Sequence, residues 1–139
     1  GDALHKLYYA KDQMIAINLA QEGIEVVREQ RDNDMLSTSA SDLFSLPGVV
    51  YYVADVTASD PLVSCVACAG GVSQPVLLDS NGFYKQGGAG TATSFKRLIT
   101  ISDAGLPADE FKATSEVTWM TGGQTGTITV AEYLFKWAI

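Results

Sequence analysis

The chain has 139 residues, a formal net charge of -7, 47% hydrophobic residues and 18% charged residues. That is enough apolar material for one ordinary domain with its own core, and it excludes a disordered chain. So acidic a balance argues against phosphate-backbone binding, and no nucleic acid is expected among the partners.

Charge and glycine are unevenly placed. Residues 1–34 carry seven acids and four bases, and their only glycines are Gly1 and Gly23. The remainder is richer in Gly, Ser and Thr. This divides the chain into a helical segment, 1–34, and a β segment, 35–139, that together form one structural domain.

The first segment predicts a continuous helix over about residues 3–31, because it lacks proline and is rich in good helix formers. Leu4, Tyr8, Lys11, Ile15, Leu19, Glu22 and Val26 follow steps of three and four. Leu7, Met14, Ile17 and Ile24 form a neighbouring stripe, so the apolar face is broad. Gly23 inside this pattern costs about 1 kcal/mol relative to Ala, which points to a close neighbour. Arg28 is spaced to pair with Glu25 and Asp32. The polar run Asp32-Asn33-Asp34 is expected to break the helix. Such a helix spans about 43 Å at 1.5 Å per residue. A compact domain of this size is roughly 35 to 40 Å across. The helix is therefore expected to be as long as the domain, and to be the lower half of a longer helix. The opening Gly-Asp reads as a cut or processed start, and no secretory leader is visible.

The rest predicts antiparallel β-structure. Residues 41–46 suggest a short helical turn. Residues 49–56 form a β-branched and aromatic run. Val76 to Leu78 and Phe83 to Lys85 flank Asp79-Ser80-Asn81-Gly82, where Asn-Gly signals a type I′ hairpin turn. Residues 95–102 put Phe95, Arg97, Ile99 and Ile101 on one side. Residues 111–120 alternate, with Phe111, Ala113, Ser115, Val117 and Trp119 on one side. Glycines at 122, 123 and 126 turn the chain into a last strand over 126–131. A long helix followed only by strands requires a sheet of about four strands to cover one helix face. The fold class is α+β, a long N-terminal α-helix packed on an antiparallel β-sheet, with Ile99, Ile101, Val117 and Trp119 facing the helix.

Chemistry-bearing patterns are few. Cys65-Val-Ala-Cys68 admits a local disulfide if the domain lies outside the cytoplasm, or two partly buried thiols. A redox pair needs a helix after the first cysteine, and Gly70, Gly71 and Pro75 follow instead. A closed zinc site needs four ligands, and His5 is the single histidine. Asp79, Asn81 and Asp103 match no calcium loop and are better explained by turns. Ser64, Ser73 and Ser94 have no histidine nearby in sequence. Gly87-Gly88-Ala89-Gly90 precedes a strand, not a helix, and is no phosphate cradle. Trp119 and Trp137 read as core or rim aromatics. The uncharged run 61–78 holds Pro61, Gly70, Gly71 and Pro75 and does not read as a membrane helix. No catalytic residue, cofactor or metal is expected, and the chain does not read as an enzyme.

Three ordered stretches resemble the type IV pilin superfamily, which includes pilins, minor pilins and the pseudopilins of type II secretion-like systems. The first is Leu19-Ala-Gln-Glu-Gly-Ile-Glu-Val-Val-Arg-Glu-Gln-Arg-Asp32. The second joins Gly82-Phe-Tyr84 to Thr93-Ser-Phe-Lys-Arg-Leu-Ile-Thr-Ile101. The third joins Ser115-Glu-Val-Thr-Trp119 to Gly126-Thr-Ile-Thr-Val130, then Tyr133-Leu134 and Trp137. Together they cover most of the chain. The family's leader, cleavage site and apolar membrane-spanning half-helix are not in this sequence. The resemblance implies a non-enzymatic filament subunit, a minor pilin or pseudopilin. Such a subunit is held in the cytoplasmic membrane by that half-helix, with its domain outside the cytoplasm. Assembly machinery then moves it into an extracellular or periplasmic filament of pilin-like subunits. On this reading the helix positions that carry assembly are Leu4, Leu7, Tyr8, Met14 and Ile15. The competing reading, that they pack on the chain's own sheet, is favoured from Met14 onward. Leu4 to Tyr8 are expected to lie beyond the domain's reach. An alternative function is an adhesin or receptor-type binding domain at a filament tip.

Overall fold

The computed structural model describes residues 1–36, 49–54, 62–65 and 75–135. One helix, α1 (Asp2–Leu36), is followed by strands β1 (Val49–Ala54), β2 (Leu62–Ser64), β3 (Pro75–Leu78), β4 (Tyr84–Lys85), β5 (Thr91–Ser102), β6 (Glu110–Thr121) and β7 (Gln124–Phe135). The class is α+β, with a long N-terminal helix packed on an antiparallel sheet. The expected turn over 41–46, residues 55 and 56, Ser73, Cys68 and Trp137 lie outside the described residues.

The helix runs unbroken through Asp32-Asn33-Asp34, five residues past the expected end at 31. Side-chain pairing holds this last turn. Gln30 Nε2 donates to Asp34 Oδ1 at 2.9 Å, a spacing of four residues along the helix, and Arg31 bonds Asp32. Arg31 also reaches the Phe135 carbonyl at the end of β7. Local polarity is thus outweighed by side-chain pairs within the last turn and by the bond of Arg31 to the end of β7.

The described strands form one seven-stranded sheet rather than four strands. β5 is its organiser. Along one edge it pairs with β6, from Lys96↔Thr118 to Ser102↔Lys112. Its other edge is shared end to end, with β3 against residues 91–96 and β1 against residues 99–102. β2 and β4 lie outside β1 and β3, and β7 lies outside β6. The three-residue strand β2 escaped sequence reading because so short a run carries no period to detect.

Two turns settle the hairpins differently from expectation. The Asn81-Gly82 turn is not type I′, since among the described residues only glycines have positive φ. Gly82 N donates to the Asp79 carbonyl, and within this turn only Gly82 has a positive φ, +85°, a type I turn followed by a left-handed residue. Asp79 Oδ1 accepts from the amides of Asn81 and Phe83, which holds the tighter local geometry. The type I′ site is Gly122-Gly123, with φ +53° and +85°, between the paired Thr121 and Gln124.

The inner sheet face is the alternating set read from sequence. Phe111, Ala113, Ser115, Val117 and Trp119 of β6, and Phe95, Arg97, Ile99 and Ile101 of β5, are all buried. One cluster joins Ile99, Ile101, Phe111, Ala113 and Leu134 to Ile24, Val26 and Val27 of the helix. The other joins Phe95, Val117, Trp119 and Val76 to Ala16, Leu19 and Ala20.

Candidate functional site: the outward stripe of the helix

What any helix face can do depends first on how the helix is rotated against the sheet. Three contacts set that rotation in the N-terminal half. His5 bonds Gln124 Oε1 through Nε2 at 3.0 Å and sits against Gly122 in the β6–β7 turn. Thr121 Oγ1 donates to Asp12 Oδ2 at 2.7 Å. The Tyr9 ring lies 5.8 Å from that of Trp119. In the C-terminal half, Arg28 bridges Glu25 and Glu132, and Arg31 meets Phe135. Arg28 therefore does not pair with Asp32 as its spacing suggested. The Glu132 carboxylate of β7 faces it instead and, through its hydrogen bond, holds the guanidinium pKa above its ordinary value.

These contacts run the helix alongside β7. His5 to Arg31 rises about 39 Å, and Gln124 to Phe135 climbs about 37 Å. The β6–β7 hairpin thus reaches the level of Leu4 to Tyr8, and the sheet is not too short to meet them. Leu4, Leu7 and Tyr8 are nonetheless 51%, 64% and 52% exposed. For Leu4 and Leu7 the reason is direction rather than reach. The sheet side of the helix is Tyr9, Ala16, Gly23 and Val27. Leu4, Leu7, Lys11 and Met14 lie roughly 160° around the helix from it, at 3.6 residues per turn. Met14, which was expected on the sheet side, is 67% exposed. Ile15 is half-buried at the flank, packed against the cluster that holds Phe95 and Trp119. Of the five positions expected to carry assembly, Leu4, Leu7 and Met14 form an outward apolar stripe, Tyr8 is exposed on the flank along the line that buries Leu19 and Val26 farther down, and Ile15 serves the core.

The helix is seated on the sheet by Gly23 and Arg97. A Cβ at position 23 would lie 2.4 Å from Ser115 Oγ, so glycine lets the helix approach β6. Arg97 is fully buried; its Nη1 donates to the Leu19 carbonyl at 2.9 Å and to Glu22 Oε1 at 2.8 Å. Its place between Phe95 and Ile99 in the β5 alternation was the visible signal, although the Glu22 partner was not.

The remaining candidates are structural in their surroundings. Cys65 is half-buried and disulfide-bonded. Ser94 Oγ donates to the Met120 carbonyl across the β5–β6 pair. Among the described residues no group of three or more His, Cys, Asp or Glu side chains is placed to hold a metal ion. Among the same residues no helix is long and apolar enough to cross a membrane. Comparison with family models, curated proteins and solved structures finds no match.

Proposed function

We propose that this chain is a non-enzymatic subunit of a type IV pilus or type II secretion-like filament, a minor pilin or pseudopilin that assembles through its N-terminal helix. The observation that carries the reading is the outward stripe. Three large apolar side chains, Leu4, Leu7 and Met14, line a continuous helix on the side away from its own sheet, with Tyr8 exposed on its flank. Fully burying a leucine is worth about 1.5 to 3 kcal/mol, so such a stripe favours a partner. In a filament that partner is a neighbouring subunit. Before assembly, on this reading, the helix continues into an apolar half that anchors it in the cytoplasmic membrane. The disulfide at Cys65 supports a domain outside the reducing cytoplasm.

The test is incorporation. The full-length protein, produced with a filament machinery, is expected in the sheared filament fraction. The Leu4→Ser, Leu7→Ser double variant should be produced at the same level but lost from that fraction. A double variant that incorporates as well as the parent overturns the reading.

A further inference from the structure

The stripe has a candidate receptor on the same molecule. Between the flank of α1 and β7 lies a hollow of about 340 Å³, lined by Gln21, Ile24, Glu25, Arg28, Val130 and Glu132. Its apolar lining is the half-buried Val130 with Ile24, only 4% exposed, at the floor. Its rim carries two carboxylates and one guanidinium, a net charge of -1, because Glu25 and Glu132 share the single Arg28.

The stripe carries the opposite sign. Lys11 is exposed among Leu4, Leu7 and Met14, and Lys6, also exposed, lies roughly 120° around the helix from them. Asp12, the acid inside this stretch, turns to the sheet and accepts the Thr121 hydroxyl. The stripe therefore offers apolar side chains with one ammonium group, that of Lys11, to a partner. Lys11 lies on the same line of the helix as Leu4 and Met14, so a surface that takes the leucines also meets this charge.

We propose that the occupant of the hollow is the stripe of a second copy of this chain. Its leucines lie over Val130, and Lys11 approaches Glu25 and Glu132. This rests on the filament reading and names the subunit surface it uses. Rim carboxylates already shared by one arginine gain a second cation, and apolar groups cover apolar groups. Each copy carries both surfaces, stripe and hollow, so each can engage two neighbours. One such contact is small, and small contacts are weak and transient between isolated molecules.

The test captures weak contacts covalently. A one-to-one mixture of unlabelled and ¹⁵N-labelled chain, at high concentration, is treated with a carbodiimide that joins lysine amines to carboxylates. Peptides of mixed isotope content report links between copies. Links from Lys11 to Glu25 or Glu132 are expected, with yields falling at least threefold near 1 M salt, where screening acts over about 3 Å. Lys11→Gln should remove these links and leave the thermal midpoint unchanged. The absence of mixed-isotope links from Lys11 overturns the proposal. So do links from Lys11 only to carboxylates of another copy other than Glu25 and Glu132, which would seat the stripe on a different surface. That last result leaves the filament reading standing. Normal incorporation of the Leu4, Leu7 variant would remove the filament reading without altering the links.

Discussion

Gly23 of the helix and Ser115 of β6 meet so closely that an added Cβ would stand 2.4 Å from the serine Oγ and 3.2 Å from its Cβ. Substituting alanine at a helical glycine ordinarily gains about 1 kcal/mol. Here overpacking costs about 1 to 3 kcal/mol and wins. Gly23→Ala is expected to destabilise the domain in urea titration. Ser115→Ala removes the atom in the way, and the double variant should recover most of the loss. Strictly additive effects of the two changes would show that they do not touch.

Arg97 places a cation within the helix–sheet core, tied to Leu19 and Glu22. Removing one partner of a buried pair costs about 3 to 5 kcal/mol. The Glu22 side chain is 38% exposed and can be rehydrated, so Arg97→Ala should fall near the lower end. Arg97→Met keeps the packed stem and should cost less than half as much. Chemical denaturation of both variants measures the difference, and equal losses would assign the effect to charge alone.

Gly126 lies opposite Trp119 in the β6–β7 ladder, and the indole covers it. A Cβ there would sit 2.3 Å from the ring. Gly126→Ala is expected to displace the indole, shift the tryptophan emission and cost about 1 to 3 kcal/mol. An unchanged emission spectrum with unchanged stability would contradict the packing.

For the outward stripe the expected stability effect is close to nothing. Leu4→Ser with Leu7→Ser should stay within about 0.5 kcal/mol of the parent, as surface changes do. A melting point lower by many degrees would place these leucines in the core and remove their assembly role.

The cysteines give a mass prediction. With Cys65 disulfide-bonded and two cysteines in the chain, Cys65 and Cys68 should resist alkylation until reduced. Reduction should then add two hydrogens to the intact mass. Protein from an oxidising compartment that alkylates at both positions without reductant would refute the pairing.

Much of this was legible in sequence because it depends on local period. Alternation over 111–120 and 95–102 placed the inner-face residues of those segments, including Arg97 but not the buried Thr121 at the end of β6, because side chains on a strand can only alternate. Helix composition likewise gave α1, and an isolated glycine at 23 pointed to a close neighbour. The candidate site was legible only in part. Leu4, Leu7, Tyr8 and Met14 could be named, but apolar residues occur on more than one side of the helix, and period alone does not choose which side is buried.

That choice belongs to the tertiary structure. The sheet takes Tyr9, Ala16, Gly23 and Val27 because Trp119, Ser115 and the β6–β7 turn fit that line, with His5 and Asp12 bonded to Gln124 and Thr121. Side-chain pairs within the last turn, with Arg31 on the Phe135 carbonyl, carry the helix past Asp32-Asn33-Asp34, and Glu132 from distant sequence takes Arg28 from Asp32. Sequence determined which residues are apolar and with what period. Which face is turned to the sheet was decided by close packing and by hydrogen bonds between segments about a hundred residues apart.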